Sequence, residues 1–191
     1  IDEGILDTVN YMRMRTAHDG SLSGWLPDYW YDVSKAGGGA MMDLGCHPMY
    51  TAAYLLGMPK RIASIFTTTY APPPADDHAV CAVEFEGGAI AVLETGFVSK
   101  YNSNCFELLG TEGAIVAIGH EVKVRSNKFK DGWYIPDKLP AQQPMAMRQW
   151  LDGIIDGKPI PFDLEKAIVL TRLLENAYQS HHQQRILKIE G

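Results

Sequence analysis

The chain has 191 residues, 46% of them hydrophobic and 21% charged, with 17 basic against 23 acidic side chains and a formal net charge of -6. That balance suits a globular chain able to bury a core without disulfides, and it excludes a duplex nucleic-acid binder, which needs a basic face to neutralise phosphates. No apolar run reaches the roughly 18 residues of a membrane helix, and the three cysteines, Cys46, Cys81 and Cys105, have no CxxC spacing; they read as reduced thiols of a cytoplasmic protein and not as a disulfide framework or a zinc site. Ile1 opens the chain without a basic-then-apolar leader, so the sequence reads as a piece of something longer.

Residues 6–15 alternate in β-forming types and read as a strand. Residues 16–36, with Gly20, Gly24, Pro27, Trp25, Tyr29 and Trp30, read as a long irregular loop of the kind that carries binding residues. Gly37-Gly38-Gly39 opens a helix expected to run to about Leu56, stopping at Gly57 with Pro59 beyond. From residue 61 the pattern changes to period two, predicting strands at 62–70, 78–86, 89–97, 104–110, 114–118 and 122–125. Turns as short as Glu86-Gly87-Gly88 and Thr111-Glu112-Gly113 make the strands they join antiparallel. Residues 143–156 and 163–182 read as helices, the second capped by Asp163 and striped by Leu164, Ile168, Leu174 and Tyr178; residues 185–189 read as a closing strand. This order predicts one α+β domain over residues 1–191, a large, mostly antiparallel sheet with helices on one face. The other sheet face is fairly apolar too, and a subunit interface or neighbouring domain is its natural cover.

Chemistry concentrates in Gly37-Gly38-Gly39-Ala40-Met41-Met42-Asp43-Leu44-Gly45-Cys46-His47-Pro48. Asp43 and His47 are four residues apart and share a helix face, where a carboxylate can orient an imidazole for general acid/base work near neutral pH. Pro48 and Gly45 should kink the helix beside the pair, and a local rule broken next to reactive groups is where function is expected. An Asp–His pair at this spacing is more often a surface pair or a satisfied structural histidine, so spacing alone leaves both readings open. No third His or Cys stands at a compelling distance for a metal site, and His181-His182, near a helix end, reads as structural. The glycine run does not follow a strand and opens no βαβ unit, so it is not a dinucleotide loop.

GGGAMMDLGCHPMYTAAYLLGMPKRI resembles the signature of the glucose–fructose oxidoreductase/inositol dehydrogenase/MocA (Gfo/Idh/MocA) family, at the start of the long helix of its C-terminal domain. The resemblance extends to the aromatic loop ending in Trp30, to Asp76-Asp77-His78, to Phe85-Glu86-Gly87-Gly88-Ala89, to Leu109-Gly110-Thr111-Glu112-Gly113 and to Ala177-Tyr178-Gln179-Ser180, which covers essentially the whole chain. It implies a glyceraldehyde-3-phosphate dehydrogenase-like C-terminal domain belonging to a two-domain NAD(P)-dependent oxidoreductase, with the N-terminal Rossmann domain absent here. By the same resemblance His47 is the acid/base histidine and Asp43 its acidic partner. His18, Tyr101 and Asn102 correspond to substrate-facing positions, and Trp30 to one near the nicotinamide. Two positions depart from the family pattern: Tyr50 stands where an aspartate is frequent and Tyr31 where an arginine is frequent.

The resemblance therefore implies the substrate-binding and oligomerisation half of a sugar or polyol dehydrogenase. NAD or NADP would be bound mainly by the missing domain, and the sheet face would form a homodimer or homotetramer. A non-catalytic ligand-binding or dimerisation module that kept the fold is the competing reading.

Overall fold

The period-two segments form one eight-stranded sheet in the computed structural model, which describes residues 1–101, 103–119, 121–129 and 132–190. The elements are β1 (Val9–Ala17); two helical turns, α1 (Gly20–Ser23) and α2 (Val33–Ala36), flanking a 3-10 turn (Asp28–Tyr31); α3 (Ala40–Asp43); and α4 (Cys46–Leu56). Strands β2 (Pro59–Thr67), β3 (His78–Phe85), β4 (Ile90–Gly96), β5 (Asn104–Gly110), β6 (Gly113–Ile118) and β7 (Glu121–Ser126) follow, then α5 (Ala146–Asp156), α6 (Leu164–Gln183) and β8 (Leu187–Lys188). Spatial order is β7-β6-β5-β1-β4-β3-β2-β8. Neighbours linked by short turns pair antiparallel, as their turn lengths require, whereas β1 lies parallel to β4 and antiparallel to β5. Among the described residues no helix is long and apolar enough to cross a membrane.

The core lies between one sheet face and helices α3, α4 and α6. Met12, Ile62, Cys81, Val83, Ala91, Leu93 and Leu108 point inward from the strands and meet Met41, Met49, Ala52, Leu173 and Ala177 from the helices, all buried. Burying a large apolar side chain contributes about 1.5–3 kcal/mol relative to leaving it exposed, and this holds the helices on the sheet. The stripe on α6 runs through Leu173, Ala177 and Ser180 rather than through Leu164 and Ile168, which are exposed. On the opposite face Arg13 and Arg15 bracket Glu94, at 2.5 Å each, and Arg13 reaches Glu107 at 3.2 Å. Burial works against the Glu94 carboxylate, but the hydrogen bonds from Arg13 and Arg15 outweigh it and hold its pKa below the ordinary value. Around that network Ile65, Val80, Ile90 and Ile118 are exposed.

Several boundaries move for local reasons. The first strand begins at Val9 rather than residue 6, because Asp7 takes a left-handed backbone (φ 57) that no strand continues. The loop over 16–36 is built of short helical turns. The second strand ends at Thr67 rather than residue 70, since the N–H groups of Thr69, Tyr70 and Ala71 leave the ladder and donate to the Asp77 carboxylate at 2.9, 2.5 and 2.9 Å. The closing strand pairs over only two residues. Past them, β2 is finished by α6: Ser64 N–H donates to Ser180 Oγ (3.1 Å) and Phe66 N–H to His181 Nδ1 (3.2 Å), with the His181 ring stacked on Phe66.

Asp77 is fully buried and works against its own desolvation, yet its backbone donors keep its pKa below the ordinary carboxylate value. Asp77→Ala strands those N–H groups and should destabilise the fold by about 3–5 kcal/mol in urea unfolding. Because the folded pKa is depressed, this stabilisation is complete above about pH 4 and is lost as pH falls through the folded value; the gap between wild type and variant should close in that range.

Candidate active site

The expected helix from the glycine run to Leu56 is broken in two, and the break shapes the site. Leu44 N–H and Gly45 N–H both donate to Ala40 O (2.9 and 3.2 Å), after which the chain restarts with His47 N–H to Leu44 O and Met49 N–H to Gly45 O, both 3.1 Å. The bend is therefore at Leu44-Gly45, ahead of Pro48 and not at it. Pro48 is the third residue of α4, where an amide proton has no helical acceptor to lose. Gly45 is required at the bend, since a Cβ there would collide with the sulfur and carbonyl of Met41.

The bend leaves Asp43 at the end of α3, half-buried, and His47 near the start of α4, exposed. No hydrogen bond or ion pair joins them among the described residues; they interact through their fields, and His18 belongs to the same group. Burial raises the Asp43 carboxyl pKa, with the charges of His18 and His47 pulling it back. Burial lowers the His18 pKa, with Asp43 and Asp19 pulling it back. Cys46, between the pair, donates its thiol to Asp43 O (3.1 Å), and burial followed by the Asp43 charge pushes that thiol up.

His18 is the most tightly held of the three. Its ring stacks on Phe97 (centroids 5.1 Å apart, planes 9° apart) and meets Trp25 at 4.6 Å. Its Nδ1 accepts from Gly20 N–H at 3.1 Å, which assigns the neutral ring's proton to Nε2. Its own N–H donates to Gly96 O and its carbonyl accepts from Ser99 N–H, so both backbone and ring are fixed. Trp30 is half-buried against the small cluster of Leu26, Ala40 and Phe97, next to Leu44. Tyr101 follows the Ser99 that binds His18, but its ring is 82% exposed, with only Lys100 Nζ lying over it at 5.8 Å. Asn102 lies outside the described residues. The structure thus gathers Asp43, His47 and His18, sets Trp30 in the neighbouring apolar cluster, and leaves Tyr101 apart.

Two supporting residues escaped the residue-by-residue reading. Asp76, buried, takes Gly39 N–H and Met41 N–H on its carboxylate (3.0 and 2.7 Å) and Ala40 N–H on its carbonyl (2.7 Å). Tyr178 donates its hydroxyl to that carboxylate at 2.9 Å. The only signals were a tandem of acidic residues ahead of a strand and a tyrosine in an apolar helix stripe. Among the described residues no group of three or more His, Cys, Asp or Glu is placed to hold a metal ion.

Residues 1–116 match the family described as the GFO/IDH/MocA C-terminal domain. The chain is 32% identical over 128 residues to a dTDP-3,4-didehydro-2,6-dideoxy-alpha-D-glucose 3-reductase of Saccharopolyspora spinosa, which takes in 67% of this chain and 33% of that protein. It is 27% identical over 97 residues to a 1,5-anhydro-D-fructose reductase of Ensifer adhaerens, 50% of this chain and 28% of that one. The chain thus spans about a third of the length of the curated relatives it matches. Its fold is that of part of levoglucosan dehydrogenase, solved in complex with NADH (TM-score 0.87, 18% identity, 99% of this chain, 60% of that one). It is also that of part of an NAD binding oxidoreductase from Klebsiella pneumoniae (0.85, 19%, 100% and 61%).

The raised Asp43 pKa has a consequence for stability. The carboxylate form is penalised in the folded state, so its cost is absent below the ordinary carboxylate value, grows as pH rises from there to the folded value and is complete above it. Asp43→Asn removes a charge that folding disfavours and should raise Tm by about 1–3 °C at pH 7. The gain should shrink as pH falls below the folded value and vanish at about pH 3, below the ordinary aspartate value. Thermal unfolding followed by circular dichroism at the two pH values checks both statements.

Proposed function

The chain belongs to the GFO/IDH/MocA family through its C-terminal domain, and from that premise we propose that it forms the substrate-binding and proton-handling half of an NAD(P)-dependent oxidoreductase acting on a CH–OH group of a sugar, polyol or similar hydroxylated molecule. The observation that carries the reading is the convergence of Asp43, His47 and His18 around the break in the helix. The sugar-reductase and sugar-dehydrogenase names among the relatives support the substrate class.

The glycine run supplies a test of what this chain can hold. The N–H groups of Gly39 and, just past the run, of Met41 already donate to the Asp76 carboxylate, which occupies the place an anion would take at a helix start, and Ala40 N–H donates to the Asp76 carbonyl. A dinucleotide pyrophosphate is therefore not held there. The residues present fit the reacting end of the cofactor, with Trp30 as its neighbour beside the Ala40–Phe97 cluster. When bound, a nicotinamide accepts the hydride of the substrate's C–H bond, or supplies it in the reverse direction.

His47 is exposed and accepts the hydroxyl proton as the C–O bond gains double-bond character; in reduction it returns that proton. Asp43, left with a pKa above the ordinary carboxylate value, faces the imidazolium formed on His47 and stabilises it by charge. His18, neutral and with Nε2–H as its donor, holds a second substrate oxygen and does not compete for the proton. Phe97 and Trp25 fix that donor's direction.

In the longer enzyme, His47→Asn should lower kcat by about 10²–10⁴-fold, the scale of a lost proton-transfer group, with KM changed much less. Asp43→Asn should cost less. Single-turnover hydride transfer with NAD+ or NADP+ and a panel of hexoses, anhydrosugars and inositols is the measurement. A folded His47→Asn variant turning over within a few-fold of wild type removes the acid/base assignment, whereas wild-type protein inactive on the whole panel leaves the ligand-binding module as the reading.

The same reading makes the outer sheet face, with Ile65, Val80, Ile90 and Ile118 around the Arg13–Glu94 network, the contact between copies in a homodimer or homotetramer. Light scattering at tens of micromolar, roughly where standard-size interfaces hold, should give a multiple of the chain mass. Ile118→Lys should reduce that mass to the monomer.

A further inference from the structure

Neither residue of the buried tandem Asp76-Asp77 reaches the reacting groups, yet the tandem grips both sides of the site. On one side is the turn that ends in Asp43. With four residues, α3 cannot fix its own direction, and the N–H groups of Gly39, just before it, and of its first two residues, Ala40 and Met41, all end on Asp76. The Tyr178 hydroxyl closes the arrangement, donating to Asp76 Oδ1 and accepting from Gly39 N–H at 3.2 Å. Thr95 adds a hydrogen bond to Ala40 O at 3.2 Å. Met42 N–H and Asp43 N–H both donate to Gly39 O at 3.1 Å, so a rotation of Gly39 is passed directly to Asp43. On the other side Asp77 O accepts Phe97 N–H at 2.9 Å, and the Phe97 ring is the platform beneath His18.

We propose that Asp76 and Tyr178 are positioning residues: the hydrogen-bonded Tyr178–Asp76 pair sets the orientation of the turn carrying Asp43, and through the bend at Gly45 that of His47. The kinetic consequence rests on the oxidoreductase reading; the conformational one does not. Burial and the adjacent Asp76 charge keep the phenol protonated, so it remains a donor throughout the working range. The Tyr178 ring packs edge-on against Phe66 at 5.0 Å independently of its hydroxyl, so Tyr178→Phe removes the hydrogen bonds and spares the packing. Asp76→Asn keeps the shape but turns one oxygen that accepts from the chain into a donor.

The test compares Tyr178→Phe and Asp76→Asn with Ser180→Ala, which deletes a buried hydroxyl on the same helix bonded to β2 and the 185 carbonyl, not to α3. Histidine ring ¹H–¹⁵N spectra of the labelled chain between pH 5 and 8 report on His47 and His18 without substrate. In the longer enzyme, Tyr178→Phe should lower kcat about 5–20-fold with KM within two-fold, the signature of a displaced catalytic group. It should shift the His47 ring signals, while Ser180→Ala lowers Tm and shifts neither. Unmoved His47 signals in Tyr178→Phe, or equal movement in Ser180→Ala, overturns the proposal. If Asp76→Asn does not fold, Tyr178→Phe decides alone. Wild-type protein inactive on the whole panel overturns the oxidoreductase reading instead, and the ring spectra still decide this one.

Discussion

The convergence of three successive backbone N–H groups on one buried carboxylate-bearing residue is the constraint on which the site depends. Unpaired, each of those groups would cost about 1–3 kcal/mol once buried, and no neighbour within a four-residue turn can satisfy them. Asp76 satisfies all three, and the three glycines before the turn make the approach possible, each for its own reason. Gly37 ends α2 in a left-handed conformation with φ 82. A Cβ on Gly38 would collide with the Tyr178 hydroxyl, and one on Gly39 with the backbone of Asp76. A run that looks from its letters like a loop for phosphate is a loop for the protein's own carboxylate.

That scaffold holds groups in an arrangement that folding alone would not choose. One environment pushes two neighbours in opposite directions, raising the Asp43 carboxyl and lowering the His18 imidazole, so both lean toward neutrality. Elsewhere the balance goes the other way: Asp77 keeps its charge by gathering backbone donors, and on the outer sheet face the Arg13–Glu94–Arg15 cluster keeps its own by mutual pairing. Burial is common to all of these carboxylates; the number of donors that come with it decides the direction.

The sheet was legible because its alternation and its Gly-containing turns are local signals, and five of the six predicted inner strands begin within one residue of where they lie. What escaped were contacts set by distant partners. Thr69 and Tyr70 look like strand and are drawn out of it by Asp77; Leu164 and Ile168 look like core and are exposed on α6. Insertion of β1 between β4 and β5 left no mark in the spacing of the strands. At the site, Asp43 and His47 were legible as an i,i+4 pair, although the helix that suggested the pairing is broken between them. The hold on His18 depends on Phe97 and Gly20, and the hold on Asp43 depends on Asp76 and Tyr178. Of these only Gly20 is a near neighbour along the chain; Phe97, Asp76 and Tyr178 are distant from the groups they hold.

The position of β1 also sets the order in which this fold can assemble. Arg13 on the central strand is bonded to Glu94 and Glu107, separations of 81 and 94 residues, while β3–β4, β5–β6 and β6–β7 pair through turns of a few residues. The meanders β2–β3–β4 and β5–β6–β7 can each close early as local hairpins, but neither can join the other except across β1. The strand that comes first of the eight in chain order is thus the seam closed late, and until then the two half-sheets present the edges of β4 and β5 that β1 has not yet covered. Long-range closure of this kind is slow and leaves sticky intermediates, so mutations along β1 should tell on the yield of folded protein sooner than on the stability of what has folded.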